Sequence, residues 1–194
     1  MLIFVTNRKL CKDDFLNRIH QLAKGKPHAI MLREKDISLK EYEELAIKIN
    51  HICEVHQVPL IINQIISVAA KLKQRNIHLS MENLRKYKYD LLPFLQIGAS
   101  VHSVDEAIEA QDLGASYLIA GHIFSTDCKK GVPPRGLPFL KEVCDSVSIP
   151  VFAIGGITTD KLKDVAMTGA KGVCIMSEAM TCLNPEELVN HFHM

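Results

Sequence analysis

"PVFAIGGITTDKLKDVAMTGAKGVCIMSEA", residues 150–179, carries the fold. An apolar run over 149–154 ends in the paired glycines Gly155 and Gly156. A segment with a helix-start pattern, 158–168, follows and stops at Gly169. A second apolar run, 171–176, leads into Ser177 and Glu178. Both runs are continuously apolar, as strands buried on both faces are. Strand, glycine turn, helix and strand in thirty residues make a β-α-β unit, whose strands are parallel.

Outward from this stretch the pattern repeats. Further strands are expected at 2–6, 28–33, 58–62, 76–79, 94–99 and 115–120, which makes eight with the two above. A helix is expected over 38–56, where Ser38 and Glu41 have the spacing of a capping box. Another is expected over 103–113, capped by Ser103 and stopped by Gly114. Near the end, "NPEELVNHF" puts Asn184 at a cap and Pro185 at the first helical position. Eight β-α units in 194 residues suit a compact (β/α)8 TIM barrel, α/β in class, as one domain over 1–194. A doubly wound open sheet is the alternative. It would concentrate polar, glycine-rich signals at one switch point, whereas here they follow several strand ends.

Composition narrows the function classes. Hydrophobic residues are 47% and charged residues 23%, an ordinary globular balance. A net charge of +1 offers no field for nucleic acid or an anionic membrane. No apolar run approaches the ~18 residues of a membrane span. The start, "MLIFVTNRKL", is apolar before it is basic, the reverse of a secretory signal. Six cysteines without a C-x-x-C pair read as free thiols, and the expected location is cytoplasmic. Of nine histidines only His191 and His193 sit close together, so no metal site is expected.

In a barrel of this kind the chemistry lies where strands end. Those ends read "REKD" (33–36), "NQ" (63–64), "SMEN" (80–83), Ser100 with His102, "GHIFSTDCKKG" (121–131), "GGI" (155–157) and "SEA" (177–179). Backbone N–H groups at Gly155, Gly156, Met176 and Ser177 form an expected phosphate nest after strands 7 and 8. The alternative is that the glycines only permit tight turns. In an extended segment Arg33 and Lys35 face one side, which suits an anionic substrate. As an isolated charge run, "REKD" reads better as a solvated surface, with Arg33 and Lys35 paired to Glu34 and Asp36.

"MLREKD", "PLIIN", "GASVHSVDEA", "GHIFSTDCKKG", "PVFAIGGI" and "GVCIMSEA", in this order, resemble the thiamine phosphate synthase superfamily along essentially the whole chain. The resemblance implies a (β/α)8 barrel and one of two activities. The synthase branch joins a pyrimidine diphosphate to a thiazole phosphate with loss of pyrophosphate. It uses magnesium held by aspartates in "IND" and "GQxD" motifs, where this chain has Gln64 and Asn83. The other branch, the TenI-like thiazole tautomerases, is similar to "GHxFxTxCKxG", with the histidine as its catalytic residue.

On these residues the expected activity is an isomerase of thiamine biosynthesis, a thiazole tautomerase. His122 would move a proton from ring carbon 2 to the exocyclic carbon, since an imidazole with pKa near ~6.5 carries protons at neutral pH. No cofactor is expected. Arg33, Lys35, Asn63, Ser100, Thr126, Cys128 and Lys129 complete the expected substrate-binding set with the phosphate nest. His78 is expected to pack or hydrogen-bond internally, and His102 to orient Ser100. The expected partner is a small-molecule thiazole phosphate, with no nucleic acid, no membrane and room for a homodimer. The alternatives are a thiamine phosphate synthase and a non-catalytic ligand sensor on the same barrel.

Overall fold

The structure is a computed structural model that describes residues 1–192. His193 lies outside the described residues, and with it half of the His191/His193 pair. Eight parallel strands follow one another in chain order around a closed barrel. They are β1 (Leu2–Val5), β2 (Ala29–Leu32), β3 (Leu60–Asn63), β4 (Asn76–Ser80), β5 (Gln96–Val101), β6 (Tyr117–Gly121), β7 (Val151–Ile154) and β8 (Gly172–Ile175). The architecture is the expected (β/α)8 barrel, not an open sheet.

By internal contacts the chain groups into two compact units, one up to Ile77 together with the residues from Ile175 onward, the other His78–Cys174. In the first, β1, β2 and β3 pair in register Ile3–Ala29 and Ile30–Leu60. Every residue of these three strands is buried, which explains their apolar reading up to Asn63 at the end of β3. Helix α1 (Phe15–Lys24) packs on α2 (Leu39–His56). Ser38 Oγ accepts from Glu41 N–H and Glu41 Oε2 accepts from Ser38 N–H at 2.8 Å, the expected capping box. Buried Arg18 of α1 donates to Asp13 at 2.6 Å and to the Cys182 carbonyl at 2.7 Å. That pins α8 (Ser177–Thr181) through the residue that follows it. The short α3 (Ile66–Lys71) and the last helix, α9 (Leu188–His191), complete the unit. α9 begins after a turn, three residues later than the Asn184 cap predicts, with Glu187 before it.

In the second unit β5, β6, β7 and β8 pair in register Gly98–Tyr117, Leu118–Val151 and Phe152–Gly172. Around them run α4 (Met81–Tyr87), α5 (Val104–Asp112), α6 (Gly136–Ser146) and α7 (Leu162–Met167). Ser103 caps α5 as expected, and Glu106 accepts from the N–H of His102, the residue before the cap, at 2.6 Å. β5 runs over 96–101 rather than 94–99, because Phe94 N–H closes a turn onto Leu91. Ser100 therefore stands inside a strand. No helix among the described residues is long and apolar enough to cross a membrane.

Candidate functional site

In the first unit the alternation of "REKD" has a visible cause. Glu34, with its side chain 1% exposed, accepts from Thr6 Oγ1 at 2.8 Å and from Arg8 N–H at 3.0 and 3.1 Å. Asp36 accepts from Arg8 at 2.7 Å and pairs with Lys9 at 3.0 Å. Both acids thus turn toward the 3₁₀ turn Arg8–Leu10. Arg33 N–H donates to Thr6 Oγ1 at 3.0 Å, so one hydroxyl ties both strand ends together. Burial raises the Glu34 carboxyl above its ordinary value, against the lowering from its hydrogen bonds to Thr6 and Arg8. The solvated-surface reading fails for Glu34, which sequence inspection counted only as a charge.

Asn63 closes β3 and is buried, and Gln64 follows it with φ 69°. Met176 precedes α8, and Ser177 opens it. Tyr42 of α2 donates to the Leu32 carbonyl at 2.6 Å and fixes the end of β2 from behind.

In the second unit His122 follows β6 and is 5% exposed. Its Nε2 lies 3.2 Å from the Val132 carbonyl, which makes this nitrogen the N–H donor. Arg135 N–H and Gly136 N–H return to the His122 and Ile123 carbonyls at 2.9 and 3.1 Å. The loop between is thereby closed on itself. Within it Thr126 caps the turn Asp127–Lys129 through Cys128 N–H at 3.4 Å, while Cys128 and Lys129 are exposed.

Gly155 and Gly156 have φ of 101° and 64°. A Cβ on Gly155 would collide with His122 Cβ and lie 2.9 Å from His122 Cα. One on Gly156 would collide with Ser125 O and lie 2.9 Å from Phe124 O. The backbone N–H groups of Ile123 and Phe124 donate to the Ile154 and Gly155 carbonyls at 2.9 and 3.0 Å. The glycines thus have a structural role of their own: they admit the loop after β6. Lys161 donates to the Gly156 carbonyl at 2.8 Å.

Ser100 Oγ is 2.7 Å from His78 Nε2, and His78 Nδ1 is 3.3 Å from the Tyr117 hydroxyl. His78 is buried and hydrogen-bonded, as its place in an apolar strand predicts. The hydrogen-bond partner of Ser100 is His78 from β4, however, not His102, which pairs with Glu106 at 3.6 Å. Tyr117 escaped sequence inspection. Its signal is a phenol in the otherwise apolar run "SYLIA".

A parallel barrel with polar strand ends defines a class of enzyme scaffold, and the chain's relatives define the family. The family described as "Thiamine monophosphate synthase" matches residues 2–179. The thiamine-phosphate synthase of Clostridium acetobutylicum is 36% identical over 91% of this chain and 85% of its own length. That of Pyrococcus abyssi is 34% identical over 92% of this chain and 86% of its own. The solved structure of thiamine phosphate pyrophosphorylase from Pyrococcus furiosus superposes with a TM-score of 0.86 at 30% identity, over 98% of this chain and 94% of that one. The chain belongs to the thiamine monophosphate synthase family and is an enzyme of that family.

These relatives overturn the expected activity. Relatives at 34–36% identity along most of the chain are named synthases, so the thiazole tautomerase and isomerase reading is corrected in favour of its alternative. The synthase branch implies magnesium, and the residues here can be tested against it. The position after β3 is an amide, Gln64. The position in α4 is another, Asn83, whose N–H is bonded to its own cap Ser80, and neighbouring Glu82 is exposed. Among the described residues no group of three His, Cys, Asp or Glu side chains could hold a metal ion. The donor set does not fit a carboxylate-held magnesium.

Proposed function

We propose that this chain is a thiamine-phosphate synthase. The bond between the pyrimidine methylene and its diphosphate breaks, pyrophosphate leaves with the electron pair, and the thiazole ring nitrogen bonds to the methylene. The observation that carries the reading is the 36% identity to a protein of that name over 91% of the chain. In the first unit Arg33, Lys35, Asn63, Met176 and Ser177 are proposed as anion-binding residues. The guanidinium and ammonium supply positive charge for phosphoryl oxygens. In the second unit Ser100, Thr126, Cys128, Lys129, Gly155 and Gly156 are proposed to meet substrate. His122 stays a proposed site residue, its part being to hold the loop after β6 through Val132. The substrates are small-molecule phosphates. A single barrel domain, a cytoplasmic setting and a homodimer belong to the same proposal.

The test is phosphorus NMR of the purified protein with pyrimidine diphosphate, thiazole phosphate and magnesium. Thiamine phosphate and pyrophosphate should appear in equal amounts. Arg33→Ala should raise the KM for the diphosphate at least tenfold, by loss of one charged contact. Consumption of neither substrate by the folded wild type would refute the reading.

A further inference from the structure

The hydroxyl of Ser100 sits at one end of a buried chain of polar groups inside the second unit. Tyr117 of β6 is buried, and burial pushes its phenol above the ordinary value, so it remains an O–H donor. A buried hydroxyl without an acceptor is costly. The hydrogen-bonding atom facing the Tyr117 hydroxyl is His78 Nδ1, at 3.3 Å. Gly98 makes room for this meeting, because a Cβ there would run into both the Tyr117 ring and His78 Nδ1. The Tyr117 ring is held in turn edge-on against Phe152, with centroids 5.8 Å apart.

A neutral imidazole that accepts at one nitrogen donates at the other. With Nδ1 taken by the Tyr117 O–H, His78 carries its proton on Nε2, and Nε2–H donates to Ser100 Oγ at 2.7 Å. Ser100 then accepts from His78 and keeps its own proton for another partner. In the opposite tautomer Ser100 would give its proton to His78 and offer only lone pairs. The buried phenol decides between the two.

We propose that His78 is a positioning residue that, set by Tyr117, makes the Ser100 hydroxyl a directed hydrogen-bond donor to an acceptor atom of bound substrate, a ring nitrogen or phosphoryl oxygen. Only the identity of that substrate rests on the proposed synthase activity. His78 touches no reacting atom in this scheme and acts through Ser100.

Nitrogen NMR of histidine-labelled protein reads the tautomer directly, with His78→Gln used to assign the signal. The wild type should show Nε2 protonated and Nδ1 bare, and Tyr117→Phe should remove that preference. A wild-type His78 protonated at Nδ1, or at both nitrogens near neutral pH, would overturn the proposal. Turnover gives the second arm. A glutamine at position 78 can accept from Tyr117 through its carbonyl and donate to Ser100 through its amide, whereas leucine can do neither. His78→Leu and Ser100→Ala should each raise KM for one of the two substrates about tenfold, the effect of one lost hydrogen bond. His78→Gln should stay within about threefold of wild type. Equal impairment by Gln and Leu would reduce His78 to packing and overturn the inference. If the folded wild type has no synthase turnover, the proposed function fails, while the tautomer measurement still decides this one. It decides equally if His78→Leu fails to fold.

Discussion

Gly155→Ala tests how the loop after β6 is held. Two penalties add at this position. The backbone has φ of 101°, a region that costs an L-residue about 1–2 kcal/mol. The new Cβ would also press on His122 Cβ and come within 2.9 Å of His122 Cα, which is backbone and yields only if the loop shifts. Overpacking of that kind costs about 1–3 kcal/mol, so the sum is about 2–5 kcal/mol. Gly114→Ala separates the two. Its φ is 92° but no heavy atom lies within 4 Å of the added Cβ, so it carries the backbone penalty alone. The chain has no tryptophan, so unfolding in urea is followed by far-ultraviolet circular dichroism. With a slope of about 1–3 kcal/mol per M, Gly155→Ala should lower the midpoint by roughly 1–2 M and Gly114→Ala by about half as much. Equal shifts in the two variants would refute the claim that the glycine admits His122.

Three further outcomes are expected. Arg18 holds the Asp13 carboxyl down at about 2, against an ordinary 3.8, and this folded value below the unfolded one means that the pair's contribution is full above about pH 4 and lost as pH falls toward 2. Urea midpoints over that range should fall less steeply in Asp13→Asn than in wild type. Burial raises Glu34 above its ordinary 4.5, so its contribution is present below that value and lost as pH rises through the folded one; Glu34→Gln should flatten the decline of the midpoint above pH 4.5, and an unchanged profile would count against it. Ser38→Ala removes one half of a capping box and should cost about 1 kcal/mol, or roughly 2–4 °C in the thermal midpoint.

The barrel is legible in the sequence because a parallel strand is buried on both faces and needs no alternation. β1, β2, β3, β6 and β8 are buried at every position, and apart from Asn63 at the end of β3 each reads as an apolar run. Boundaries are less legible where a turn borrows apolar residues: Phe94 is buried like a strand residue, yet its N–H belongs to a turn, and β5 starts two positions later. The charge of Glu34 is legible in "REKD", but its burial is not. Burial of a carboxylate depends on Thr6 and Arg8, more than twenty residues away in sequence. The partner of Ser100 illustrates the same limit. His102 is two residues along the chain, but β5 ends at Val101 and His102 turns to Glu106, so the side chain within reach of Ser100 comes from the adjoining strand, where His78 stands.

The same physics explains why a loop motif pointed to the wrong branch. Histidine at 122 looked like a proton carrier because it ends a barrel strand, where catalytic groups gather. In the folded chain its residue type has an account that needs no proton transfer. Its ring nitrogen donates to the Val132 carbonyl, and its Cα and Cβ fill the space that Gly155 leaves open. A side chain that closes its own loop can change with that loop while the strands beneath it stay fixed. Gln64 follows the end of β3 and Asn83 lies in the first turn of α4, both outside the buried strand runs that hold the barrel together. A few such positions therefore carry less weight about descent than an identity of 34–36% spread over nine-tenths of the chain. The amides still constrain chemistry, since neither brings a negative charge to a divalent cation. Descent and donor set thus bear on different questions, the reaction class for the first and the means of stabilising a departing pyrophosphate for the second.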